Sequence, residues 1–224
     1  MHIPFGIDIL DVIFKGILIG VIVSAPMGPV GVLCVQRTIN KGRWFGFATG
    51  IGATASDLIY ALITGFGMSF AADIINNSQY RFYLQILGSV LLLVFGIYSF
   101  RAKPRHKDVQ SKSKGQGNLM QNGFTAFMIT VSNPLIILLF VACYAQMAFV
   151  LTSPLYIIVG YLSIIAGALL WWFGLTWLVD KIRTKFDNNG IVIINKVIGC
   201  IVTVISIIIL LGTVFNLYTF SFTN

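Results

Sequence analysis

The chain has 224 residues, of which 57% are hydrophobic and only 10% charged, with a net charge of +8. A soluble domain carries roughly 25% charged residues, so this composition argues against a water-exposed surface and for one that meets lipid. The positive balance does not point to nucleic acid. The basic residues lie between apolar runs, where cytoplasmic loops of a membrane protein carry them anyway.

A membrane-spanning helix needs about 20 mostly apolar residues. In chain order, six runs qualify: Phe14–Val35, Trp44–Phe70, Tyr80–Phe100, Gly123–Phe149, Leu155–Val179 and Val197–Tyr218. The first follows a leader carrying Asp8 and Asp11 rather than basic residues, which reads as the approach to a span and not as a cleavable signal. The second and fourth are long enough to tilt or to be interrupted.

The loops set the orientation. Arg37, Lys41 and Arg43 follow the first run. Arg101, Lys103, Arg105, Lys107, Lys112 and Lys114 follow the third, and Lys181, Arg183, Lys185 and Lys196 follow the fifth. These are thirteen of the fifteen basic residues, all on one side of a six-span bundle. The positive-inside rule puts that side in the cytoplasm and both termini outside. The polar, basic stretch from Lys103 to Gly117 reads as a solvated tether between two halves, with anionic headgroups as an alternative partner.

The expected fold is therefore an all-α integral membrane protein of about six transmembrane helices, arranged as two inverted-topology three-helix repeats. The first repeat spans residues 1–102, the basic cytoplasmic linker 103–122 and the second repeat 123–224. Pro26 in the first run has a counterpart in Pro134 of the fourth, Ser56-Asp57 matches Gly167-Ala168, and Gly88 matches Gly199. An odd number of spans per half forces the second half to enter the membrane the other way round, the plan of many secondary transporters.

Two interruptions stand out. Pro26, Gly28 and Pro29 break the first run, because each proline lacks an N–H and clashes with the carbonyl four residues back. A second half-helix starting near Gly28 would present backbone N–H groups suited to a carboxylate; the plainer reading is a kink that shapes packing. Asn133 and Pro134 form the partner break, where Pro134 frees the carbonyl of Thr130 and the Asn133 amide can donate and accept. Paired breaks at matching positions are the best sequence pointer to a transporter site.

Asp57 is the only acid deep within a run, and a charge at mid-bilayer costs roughly 2.5–3.5 kcal/mol on insertion scales. It reads as a counter-charge for a substrate amine or as a proton site. The packing alternative is a protonated Asp57 bonded to Ser56, Thr54 or a broken-helix carbonyl. Gly46, Gly50 and Gly52 read as a small face for close helix contact. Trp171 and Trp172 are candidate cavity walls, and Trp177 is an interfacial anchor.

Cys34, Cys143 and Cys200 form neither a disulfide framework nor a zinc pattern. No P-loop, paired-histidine motif or nucleophile–base constellation occurs, and His2 and His106 lie at the terminus and in the linker. The sequence thus calls for no enzyme activity, no cofactor and no metal site.

At Pro26-x-Gly28-Pro29 the sequence resembles the LysE/RhtB family of amino-acid exporters. Arg37, Lys41-Gly42-Arg43, Gly46, Gly50-x-Gly52 and Ser56-Asp57 carry the resemblance onward, joined by Asn133-Pro134, Gly167, Trp171-Trp172 and Gly199. It runs from about Phe14 to Leu211, with the specific part in the first quarter. Val30-Gly31 follows Gly28-Pro29, where family members commonly place an asparagine; that missing polar group bears on substrate choice. The resemblance implies a secondary transporter in the bacterial inner membrane. It would export amino acids or related small metabolites, driven by a proton or cation gradient, with a homodimer as a compatible assembly. A divalent metal cation exporter is the first alternative, although one carboxylate supplies few of the oxygens that Mg2+ or Mn2+ want. A transmembrane thiol-disulfide electron carrier comes second, because Cys34 and Cys143 lie about two helical turns from the breaks.

Overall fold

The computed structural model describes residues 5–26, 28–70, 78–101, 118–133, 135–147, 149, 151, 153–182 and 188–214. Met27, Pro134, residues 102–117 of the linker region and the C-terminal ten residues lie outside them. Every secondary-structure element among the described residues is helical. The helices are α1 (Phe5–Ser24), α2 (Pro29–Lys41), α3 (Arg43–Phe70), α4 (Ser78–Arg101), α5 (Leu119–Val131), α6 (Leu135–Met147), α7 (Pro154–Ile182) and α8 (Asn188–Val214).

The protein is a multi-pass, all-helical membrane protein. Within α3 and α7, Arg43–Met68 and Pro154–Ile182 are each long and apolar enough to cross a bilayer unbroken. The first and fourth runs are each split in two. Ile9–Ser24 and Pro29–Lys41 meet at 81°, and Leu119–Val131 and Leu135–Met147 at 73°. Counting each bent pair as one span gives up to four, and α4 and α8 contain shorter apolar stretches, Gln85–Tyr98 and Gly199–Val214. The sequence expectation of interrupted helices at Pro26–Pro29 and at Asn133 is met, with bends far sharper than a proline kink in a continuous helix.

Boundaries moved where local chemistry overrode hydropathy. The first helix begins at Phe5 rather than Phe14, and its Asp11 pairs with Lys15 one turn on, at 2.6 Å, a spacing that helices favour. The fourth run begins at Leu119 rather than Gly123, because Asn118 and Gln121 form a capping box at its N-terminus. The loop expected around Arg37–Arg43 reduces to Gly42, whose φ of 101° suits glycine. Arg37 is therefore a helical residue, and it is buried.

Close packing of small residues holds the bundle together, as expected where lipid removes any hydrophobic drive between helices. α1 lies along α7 and α5 along α3, while α3 meets α7 and α4 meets α8. At the α1–α7 contact a side chain on Gly16 would collide with Ser163 and one on Gly20 with the Ile164 carbonyl. At the α3–α5 contact, Gly52 faces the Gly123 carbonyl in the same way. Outer faces of α4 and α8 expose Leu87, Val94, Val197, Ile201 and Ile208, surface that acyl chains satisfy. Buried hydroxyls mostly close onto the carbonyl four residues back, as Thr54 does to Gly50 and Thr176 to Trp172.

Candidate functional site

The first break brings together what the sequence singled out separately. α1 ends at Ser24, and the Ser24 hydroxyl donates to Oδ2 of Asp57 across 3.4 Å. Asp57 is 5% exposed, and this long contact is its one hydrogen bond among the described residues. The packing alternative pointed to Ser56, Thr54 or a broken-helix carbonyl as partners. Thr54 instead bonds the Gly50 carbonyl, and the fully buried Ser56 hydroxyl has no partner among the described residues. A lone, stretched hydrogen bond leaves most of the carboxyl group's acceptor capacity unused.

Beyond the break, α2 starts with Pro29 at its first position and Gly28 as its cap residue, where no side chain bonds the end. Proline fits here because its missing N–H would be unpaired anyway. Val30 and Gly31, both buried, supply the first backbone N–H groups of the new helix, and no side chain caps them. Gly28 is exposed and extended, and a Cβ placed on it would meet nothing within 4 Å. The site therefore has an uncapped helix N-terminus, a buried acid and open space beside the chain reversal.

The second break is built differently. Oδ1 of Asn133 accepts the Leu135 N–H at 3.2 Å, and the Asn133 carbonyl accepts the Ile136 N–H at 3.3 Å. The start of α6 is capped from within, by one of the two acceptor positions of the Asn133 side-chain oxygen. Pro134 lies outside the described residues.

α3 touches both breaks. One turn after Asp57, the Tyr60 hydroxyl donates to the Val131 carbonyl at the end of α5, at 2.6 Å. The next residue, Ala61, accepts from the buried Tyr144 hydroxyl of α6 at 3.2 Å. Sequence reading missed these ties. The available signal was the spacing of three between Asp57 and Tyr60, which puts both on one helix face.

On the other side, Trp171 packs on Ala25 and Val202, and Trp172 lies over Gly50. Both indole N–H groups are buried without a partner among the described residues. Trp177 is exposed with Lys181 over its ring, the geometry of an interfacial anchor. Cys34 donates to the Gly46 carbonyl at 3.3 Å. Cys143 sits in a different core cluster from Cys34. Among the described residues no three His, Cys, Asp or Glu side chains gather.

The pattern of the LysE type translocator family matches residues 21–213. A protein of Bacillus subtilis (strain 168), described as "Putative amino acid efflux protein YcgF", is 27% identical over 168 residues, covering 73% of this chain and 78% of that one. No solved structure matches the chain.

Proposed function

The chain belongs to the LysE type translocator family, and from that premise we propose that it exports amino acids or related small metabolites from the cytoplasm, driven by a proton or cation gradient. The observation that carries this reading is the Ser24–Asp57 hydrogen bond, which joins the deep acid to the uncapped break. In this reading the Val30 and Gly31 N–H groups beyond Pro26, Gly28 and Pro29 take a substrate carboxylate. Asp57 takes the amine or exchanges a proton. Asn133, its oxygen bonded to α6, offers its amide N–H groups beside Pro134. Matching both charges of a zwitterion lowers the cost of taking it out of water. The similarity to an efflux protein supports the direction of transport.

The reading includes six spans in two inverted three-helix repeats, joined by a cytoplasmic linker at 103–117, with both termini outside the bacterial inner membrane. Helix neighbours support it. α1 meets α7 as α5 meets α3, α2 meets α7 as α6 meets α3, and α1 meets α6 as α5 meets α2. The close approach of Gly16 to Ser163 has its counterpart in Gly123 against Gly52, at offsets of 107 and 111 residues. That α2 also packs on α3, and α4 on α6, departs from strict symmetry.

The test is metabolite-resolved efflux from proteoliposomes loaded with the twenty protein amino acids, with and without an imposed proton or sodium gradient. Gradient-dependent loss of one or a few amino acids is expected. Retention of all twenty beside release of Mn2+ would replace the reading with metal export. Cysteine labelling of intact cells should reach Ser153 and Asn224 and miss residues 103–117; the reverse pattern would invert the topology.

A further inference from the structure

Arg37 is the one strongly buried cation among the described side chains. It is 8% exposed and sits on α2, one turn before that helix ends at Lys41. One of its terminal nitrogens donates twice, to the Thr49 hydroxyl of α3 at 2.8 Å and to the Asn122 carbonyl of α5 at 2.7 Å. No carboxylate pairs with it, since the ion pair among the described residues is Lys15–Asp11. Burying a guanidinium on two neutral acceptors is an expensive arrangement in a membrane. A structural tie between three helices could be made by an uncharged amide. The charge asks for an anion.

The location says which anion. Thr49 and Asp57 lie eight residues apart on α3, about 12 Å along the axis. Arg37 therefore sits well away from the first break, toward the α2–α3 turn, which faces the cytoplasm in the reading above. It also bridges the two halves of the chain, because α2 and α3 precede the linker and α5 follows it. An exported substrate enters from this side, and whatever opens the mouth must part α2 from α5.

We infer that Arg37 is the entry station for the outgoing substrate's carboxylate, which replaces the Asn122 carbonyl on the guanidinium and so releases α2 from α5. This rests on the reading of the protein as a carboxylate-bearing metabolite exporter. A carboxylate accepts two parallel N–H bonds from arginine, where the carbonyl accepts from one nitrogen, so the exchange favours the substrate. An α-amino acid has its two charges too close together to reach Arg37 and Asp57 at once. The two groups act in succession, Arg37 at the mouth and Asp57 at the break.

The experiment places spin labels at Asn40 and Met120, both exposed on α2 and α5, in a background with Cys34, Cys143 and Cys200 changed to serine. The probes are the twenty protein amino acids as one mixture and the corresponding carboxamides as another. The acid mixture should lengthen the Asn40–Met120 distance and the carboxamide mixture should not. Arg37→Ala, which removes both bonds, should give the long distance without any probe. Arg37→Lys keeps the charge but loses the paired geometry, and should raise the half-saturating concentration about tenfold while lowering the maximal rate less. An equal response to acids and carboxamides, or an unchanged distance in Arg37→Ala, overturns the inference. Wild-type efflux with no distance response to acids overturns it too, while leaving the export reading intact. Absence of any amino-acid efflux overturns the export reading, and the distance response to acids then decides Arg37 by itself.

Discussion

The two helix breaks look alike in sequence and differ in how their backbone is satisfied. At the second, Asn133 turns back on α6 with both its side-chain and its main-chain oxygen. At the first, Gly28 offers no side chain, Pro29 occupies the first helical position, and α2 begins uncapped. The acid lies at this second kind of end, reached through Ser24. A break that caps itself is complete as a structure. One that leaves helix-end donors uncapped is the end the proposed reading assigns to the substrate. The comparison teaches that an Asn-Pro pair and a Pro-x-Gly-Pro sequence, both helix breakers, can serve different ends.

Substitutions can break or sharpen that contrast. The largest effect on the fold belongs to neither break. Gly20→Val would drive a side chain into the Ile164 carbonyl and bring it near the Ala168 nitrogen. Overpacking of this kind should cost about 3 kcal/mol, read as a lower melting temperature in detergent. Gly28→Val has room for its side chain and an extended backbone to accept it. Stability should hold within about 0.5 kcal/mol, whereas efflux should fall about tenfold if the substrate uses that space. Unchanged efflux would place the ligand elsewhere. Asn133→Ala should do the reverse, costing about 1 kcal/mol of stability through the lost cap and less efflux than Gly28→Val. A larger transport loss would make the second break an equal partner. Cys34→Ser with Cys143→Ser should change efflux least, within about twofold. Abolished transport at normal abundance would revive thiol chemistry.

Much of the architecture was legible in the sequence because lipid imposes simple rules. Each described helix overlaps one of the apolar runs, and both breaks fall at prolines. Hydropathy failed at ends governed by specific bonds, such as the Asn118–Gln121 capping box that extends α5 into the expected linker. It also treated Arg37 as a loop cation. The sequence around it is basic, and its burial depends on Thr49 and on Asn122, 85 residues away. The same limit applies at the site. Asp57 stood out alone, but its partner Ser24 lies 33 residues back, and periodicity within one helix cannot find it.

The most direct test of the central claim, that the first break with Asp57 is the substrate site, is efflux by Asp57→Asn measured beside membrane abundance and melting temperature. Asparagine keeps the shape and the Ser24 contact while removing the charge and the exchangeable proton. Normal insertion with equal or higher stability is expected, since a charge at that depth is costly, together with efflux reduced to background. Asp73→Asn, between the second and third apolar runs of the sequence, is the control and should export as wild type. Wild-type efflux by Asp57→Asn would contradict the account.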